Sequence, residues 1–261
     1  VTGPIVTLTT DFGSLDSYAG QVKGALLAVA PDARIVDLTH EIAPQGVSEA
    51  AFVLETAWQM FPAGTIHLVL VDPGVGTARR RLVIEAGGNV FIGPDNGCLS
   101  AALPDGARGS RQPEGGYEAR LVRIAGDSRA FAFERLDLLP RAPSATFEGR
   151  DVFAPVAGLV ATGMPASELG TRTDECLAFP AFRSPPIEGG LDGMVIRCDR
   201  FGNLITDIRA GDLRPGARVL VATEELGLAR TYGEAQGLAA LPGSSGYLEL
   251  ALPGGSAAAA L

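Results

Sequence analysis

Residues 65–80 read TIHLVLVDPGVGTARR, and the reading of this stretch decides the fold. Ile66, Leu68, Val69, Leu70 and Val71 form a short, nearly continuous apolar run, the pattern of a strand covered on both faces. Asp72 follows at its carboxyl end. Ligands of open α/β sheets bind just outside the carboxyl ends of strands, so an acid there is a stronger candidate for chemistry than one on a helix face. Pro73, Gly74 and Gly76 supply the next turn and let main chain approach a ligand closely. Residue types alone leave two readings open: a reactive carboxylate with arginines behind it, or an ordinary Asp-Pro-Gly turn followed by solvated cations.

Upstream, residues 5–9 form an earlier apolar strand followed by TDFG at 10–13, which gives Asp11 the same placement as Asp72. Asp16 is placed to cap a helix in which Ala19, Val22, Leu26, Leu27 and Ala30 keep helical spacing until Pro31. Ile35, Val36 and Leu38 make the next strand, with Thr39-His40-Glu41 after it. A second helix is expected from about Val47 to Met60, burying Ala50, Ala51, Val53, Leu54 and Ala57. This β-α-β-α-β alternation predicts a mostly parallel sheet flanked by helices.

Downstream, residues 82–86 and 90–93 read as a hairpin through Gly87-Gly88-Asn89, and Pro94-Asp95-Asn96-Gly97 as a plain turn. Residues 104–116 lack periodicity and read as an exposed excursion. Residues 146–151 lead into a helix for which Asp151 is the candidate N-cap. Pro, Gly and polar residues then mark 171–188 as a linker, after which short strand-like runs at 194–198, 218–222 and 247–251 predict a mainly β domain. The expected organisation is an α/β domain over 1–170, the linker, and a small β-rich domain over 189–261 that completes the site.

The 261 residues carry 21 Lys and Arg against 30 Asp and Glu, a net charge of −9. That argues against nucleic acid or an anionic membrane surface as partner and suits a cationic small molecule. Cys98, Cys176 and Cys198 are an odd number without metal spacing, as expected of a reducing, cytoplasmic compartment. No charged-then-apolar leader precedes Ile5, and no run of 18 apolar residues follows, so neither a targeting nor a spanning segment is expected. His40 and His67 lack partners at ligand spacing, so no metal site is expected. Neither a Walker loop nor G-x-S-x-G occurs. What remains is Asp11 and Asp72 at strand ends, with Arg79 and Glu148 expected close by, and the segment Asp199–Asn203 in the second domain. These residues point to a small-molecule site without naming a substrate.

The strings TLTTDFG (7–13), IVDLTHEIAPQ (35–45), VDPGVGTARR (71–80), GPDNG (93–97), TFEGRDVFAP (146–155) and DRFGNLITDI (199–208), in this order and spacing, resemble a known family. It is that of the S-adenosyl-L-methionine (SAM) hydroxide adenosyltransferases, adenosine-forming SAM hydrolases related to the fluorinating and chlorinating SAM enzymes. The resemblance runs from Ile5 nearly to Leu261. It implies an α/β amino-terminal domain and a smaller β domain, assembled as a homotrimer with SAM at the subunit interface. It also implies attack of a water-derived hydroxide on the ribose 5′ carbon, giving adenosine and methionine with no metal or redox cofactor.

Matched motif by motif, the resemblance makes Asp72 the base and Arg79 its partner, while Glu148 stands where family members carry His. That departure sets two carboxylates beside one water, a repulsion that Arg79 or Arg150 would have to compensate. Asp72 also stands where halogenating relatives carry Tyr, and an extra negative charge disfavours a halide. By the same match Asp11 meets the ribose hydroxyls, and Asp16, Asp199 and Ser244 fall near the methionine end. Phe201, Asn203 and Tyr232 fall in the adenine pocket, and Val75 and Phe147 at the reacting centre. The alternatives left open are a SAM- or adenosine-binding protein whose catalysis is lost or weak with Glu148 in place, and a SAM-dependent halogenase.

Overall fold

The apolar run at the centre of the sequence folds as a strand, Ile66–Leu70, with all five residues buried. It is the third in a series: β1 (Ile5–Thr10), α1 (Tyr18–Val29), β2 (Arg34–Thr39), α2 (Val47–Ala57) and then this strand, β3. The computed structural model describes residues 3–222 and 224–261; Val1, Thr2 and Thr223 lie outside the described residues. β1 pairs in parallel with β2 and β3, Thr7 lying opposite both Val36 and His67. β3 pairs in parallel with β5 (Asn89–Pro94), which forms the expected hairpin with β4 (Arg81–Ala86).

The seven-stranded sheet runs β2-β1-β3-β5-β4-β7-β8, where β7 is Arg129–Phe133 and β8 is Gly170–Thr173. Its first four strands are parallel and the remaining pairings antiparallel. Because β4 runs against β5, its first residue, Arg81, lies opposite Pro94, at the end where the parallel strands finish.

Both faces of β3 are covered. Ile66, Leu68 and Leu70 join a core with Leu8, Leu26, Phe153 and Val156, whereas Val69 and Val71 pack on the other face with Leu54, Ile84 and Phe91. Alternate residues therefore serve opposite cores, which is why the sequence shows no polar alternation there.

Several expectations are corrected. Ser17 is the N-cap of α1, without a side-chain capping bond, so Asp16 does not cap it. Asp151 is no N-cap either: it lies buried inside a wide π-type turn, Gly149–Phe153, that precedes α4 (Ala154–Ala161). The expected linker at 171–188 carries most of β8 and all of β9 (Glu175–Ala178), which pairs with β6 (Arg120–Arg123). These are edge and outlying strands, half exposed, so their polar residues mimic linker composition. The excursion holds a single helical turn, α3 (Asp105–Arg108).

The chain divides into two compact units, Val1–Gly109 with Tyr117–Ala181, and Ser110–Gly116 with Phe182–Leu261. The second unit contains a short ladder, β10 (Pro186–Ile187) with β11 (Gly190–Leu191), and a six-stranded sheet. That sheet consists of β12 (Val195–Cys198), β13 (Leu204–Arg209), β14 (Val219–Val221), β15 (Glu224–Leu228), β16 (Ala239–Pro242) and β17 (Tyr247–Ala251). Its order is β12-β13-β17-β16-β15-β14, antiparallel except between β15 and β16. Segment 110–116 belongs here through Arg111, whose buried guanidinium bonds Asp207 at 3.0 Å and Asp192 at 2.8 Å. The Ala257–Ala260 run is a last helical turn, α5, capped by Ser256.

Candidate active site

Asp72 leaves β3 after the buried Val71 and folds back on its own loop, its Oδ1 accepting from Gly74 N at 3.2 Å. Gly76, at φ +78°, completes the turn; a Cβ there would stand 2.7 Å from the Ala145 carbonyl oxygen. The turn returns the chain so that Arg79 faces Asp72. Its Nε donates to both carboxylate oxygens, at 2.9 and 3.0 Å, and its Nη2 donates to Oδ2. Burial disfavours the Arg79 cation, but its bonds to Asp72 and Glu148 outweigh this and hold the guanidinium above its usual range. The guanidinium also lies over the Phe153 ring, 5.3 Å from its centre. Nη1 is buried with no hydrogen-bond partner among the described residues.

Glu148 immediately precedes the wide turn and is 4% exposed. Its Oε2 accepts from Arg79 Nη2 at 2.5 Å and from Arg81 Nε at 3.0 Å, and its Oε1 accepts from Arg81 Nη2. Burial alone would raise the carboxyl's pKa. The bonds from Arg81 and Arg79 reverse the sign and hold it below the ordinary glutamate value. The expected repulsion between Asp72 and Glu148 is thus met by Arg79 and Arg81. Arg150 takes no part: it bonds Asp151 at 2.7 and 2.8 Å and Gln21 at 2.9 Å. Arg81 carries no signal in the sequence, because it opens a strand, whereas the acids that mark the site follow the carboxyl ends of strands.

Asp72 and Glu148 border a cavity of about 280 Å³ in the first unit. Asp11, Asp72 and Glu148 bring three carboxylates to it, and Phe12, Phe147 and Phe153 bring three aromatic rings, with Val75 beside them. Phe12 and Phe147 meet edge to face at 5.7 Å, and Tyr18 closes the cluster at 5.3 Å from Phe147. Asp11 is held by Gln45, whose backbone N–H donates to Oδ2 at 2.8 Å. Gln45 also lines the cavity and adopts the left-handed conformation at φ 66°, a costly geometry for a non-glycine residue that clusters at functional sites. Nothing in the sequence signalled it. His40 supports the same loop: its Nδ1 lies 2.9 Å from Thr10 Oγ1 and its carbonyl accepts from Gly13 N at 2.7 Å. Asp16 is exposed and outside the cavity lining.

The 94–97 turn braces this site from behind. Asp95 is 6% exposed and accepts from Arg80 Nε and Leu177 N, each at 2.8 Å, while Asn96 Nδ2 donates to the Val71 carbonyl at 2.9 Å. Arg80 is therefore engaged, as it also donates to Thr173 Oγ1 at 2.8 Å. His67 is a core histidine: Thr7 Oγ1 lies 2.8 Å from its Nδ1, Phe91 stacks on it, and burial lowers its pKa to about 4. Among the described residues no group of three or more His, Cys, Asp or Glu is arranged to hold a metal ion.

In the second unit, Asp199, Phe201, Asn203 and Tyr232 converge. Asp199 Oδ1 accepts from the backbone N–H groups of Phe201 and Asn203 at 2.8 and 2.9 Å, and Oδ2 accepts from Asn203 Nδ2 at 2.9 Å. Asn203 Nδ2 also reaches Tyr232 Oη at 3.3 Å, and that hydroxyl donates to Glu249 at 2.9 Å. Burial and the Glu249 bond push the Tyr232 phenol up to about 12. The arrangement leaves Phe201 78% exposed. Ser244 is exposed in the turn between β16 and β17, outside this network.

Compared with known families, residues 6–170 match the family model described as the SAM hydroxide adenosyltransferase N-terminal domain, and residues 193–261 match that of its C-terminal domain. The chain belongs to this family. Among SAM hydroxide adenosyltransferase relatives, a Thermus thermophilus protein named (R)-S-adenosyl-L-methionine hydrolase is 38% identical over 268 residues, covering 98% of this chain and 94% of the relative. A protein from Actinoplanes sp. named fluorinase is 30% identical, covering 95% and 90%. The crystal structure of a conserved protein from Thermotoga maritima superposes with a TM-score of 0.80 at 33% identity, covering 98% of this chain and 95% of that one. The two matched domains take in every motif quoted above, Asp72, Arg79 and Glu148 in the first and the Asp199–Asn203 segment in the second.

Proposed function

We propose that this SAM hydroxide adenosyltransferase hydrolyses SAM to adenosine and L-methionine, the sulfonium epimer being the (R) form named for its hydrolase relatives. The observation that carries the reading is a strand-end carboxylate, Asp72, held by Arg79 at the wall of a cavity that also presents Asp11, Glu148 and three aromatic rings. Carboxylates and ring faces suit a sulfonium cation.

In the reaction, a water oxygen attacks the ribose 5′ carbon in line with the carbon–sulfur bond. That bond breaks, its electron pair passing to the methionine sulfur, and the water's proton passes to Asp72. A sulfonium is already a good leaving group, so the protein's tasks are to align the water, exclude bulk solvent and take the proton. Arg79 orients Asp72, and its buried, unmet Nη1 is the kind of donor that an ordered water satisfies. Asp11 accepts from the ribose hydroxyls, Val75 and Phe147 flank the reacting carbon, and no metal or redox cofactor takes part.

The reading extends to the second unit and to assembly. Phe201 stacks on adenine and Asn203 and Tyr232 pair with it, while Asp16, Asp199 and Ser244 serve the methionine end. Support comes from the joined network of Asp199, Asn203 and Tyr232 and from the exposed Phe201, which a planar ligand would cover. A homotrimer with the site at the subunit interface, working in the cytoplasm, completes the proposal; the free thiols of Cys98, Cys176 and Cys198 suit a reducing compartment. Halogenation is disfavoured, because a halide would enter among three carboxylates while the guanidiniums of Arg79 and Arg81 are engaged by Asp72 and Glu148.

The test is incubation with (R)- and (S)-SAM in ¹⁸O-water, with products followed by chromatography and mass spectrometry. Adenosine carrying one heavy oxygen at the 5′ position, together with methionine, is the expected result. Absence of product, or unlabelled adenosine, overturns the reading.

A further inference from the structure

Arg79 alone faces two carboxylates, the half-buried Asp72 and the buried Glu148, an arrangement one negative charge out of balance. We propose that Arg81 is a positioning residue for this reaction: by holding Glu148 as a fixed counter-ion, it lets Arg79 keep its grip on Asp72. The inference rests on the hydrolase reading and adds a residue and a role to it. Arg81 lines no part of the cavity, so it acts through Glu148. It makes two parallel N–H bonds to a carboxylate whose side chain is only 6% exposed, a geometry unlike that of a mobile surface pair.

The ionised groups bonded to Glu148 are Arg79 and Arg81, and Asp72 faces it across Arg79. Arg150, next in line, is spent on Asp151. Without Arg81, the Glu148 charge would be balanced only by drawing Arg79 away from Asp72 or by taking up a proton. Either change disturbs the base without touching the substrate.

The test measures kcat and KM for SAM in Arg81→Met, Arg81→Lys and the double variant Arg81→Met/Glu148→Gln, with thermal melts to verify folding. Loss of the charge-assisted pair in Arg81→Met is expected to lower kcat roughly 10- to 100-fold and leave KM within about threefold. Arg81→Lys, which keeps the charge, retains the larger part of kcat. The double variant recovers kcat relative to Arg81→Met, since a neutral amide leaves Arg79 a single carboxylate. A brace for the fold would not be rescued by Glu148→Gln.

Wild-type kcat in Arg81→Met, a Lys variant as poor as the Met variant, or a double variant no better than Arg81→Met overturns the role while the hydrolase reading stands. A wild-type protein that forms no adenosine overturns the hydrolase reading and this role with it.

Discussion

Asp72 and Glu148 share one nitrogen: Nη2 of Arg79 donates to Oδ2 of the first and, at 2.5 Å, to Oε2 of the second. Whatever alters the charge of one carboxylate is therefore felt by the other through a single guanidinium. The hydrolytic reading gives these acids different tasks, Asp72 taking the proton and Glu148 remaining ionised.

Asp72→Asn tests the base. The amide preserves shape but cannot accept the water's proton, so kcat should fall by roughly 100- to 10,000-fold, the usual worth of a general base. Adenosine binding, measured by calorimetry, should persist. Undiminished turnover would remove Asp72 from its role.

Halide selectivity follows from the same charges. In excess fluoride or chloride the protein should give adenosine and no 5′-halogenated nucleoside, as read by mass spectrometry and ¹⁹F NMR. A halogenated product would show that an anion can reach the reacting carbon despite Asp11, Asp72 and Glu148.

Glu148 also leaves a mark on stability. Its folded pKa lies below the ordinary 4.5, so the stabilisation is fully present above about pH 4.5 and is lost as pH falls through the folded value. Chemical denaturation at a series of pH values should find the wild type losing stability more steeply than Glu148→Gln below pH 4.5. Parallel curves would mean that the carboxylate is not held ionised by its arginines.

His67 has a window of its own. Its folded pKa of about 4 lies under the ordinary 6.5, so the unfolded chain binds the extra proton first. Stability should be intact above pH 6.5 and fall by on the order of 2–3 kcal/mol toward pH 4. The fall should be absent in His67→Gln, and a loss of equal size in that variant would place its cause elsewhere.

Gly76→Ala probes the turn between Asp72 and Arg79. At φ +78°, with the Ala145 oxygen 2.7 Å from the new Cβ, the loop must shift. A destabilisation of about 1–3 kcal/mol by thermal melt is expected, with a fall in kcat as Arg79 moves off Asp72. Unchanged values of both would show that the turn tolerates displacement.

Patterning along the chain was enough to establish the alternation of strands and helices around β3, the hairpin within 81–94, and the strand-end acids Asp11 and Asp72 with Arg79 and Glu148 close by, whereas Val75 and Phe147 joined them only through the family resemblance. Those signals are local: apolar periodicity, glycine turns, and acids set just past apolar runs. Tertiary structure alone decided the rest. Glu148 finds Arg81 because an antiparallel strand begins where the parallel strands end, a meeting that pairing creates and periodicity cannot show. The supposed linker holds most of β8 and all of β9 because a polar segment becomes a strand when a neighbour offers its hydrogen bonds. Asp151, expected as a cap, is buried beside Arg150 by a wide turn that adds a residue to the helical repeat. Each of these outcomes depends on partners distant in the chain, and only the folded arrangement supplies them.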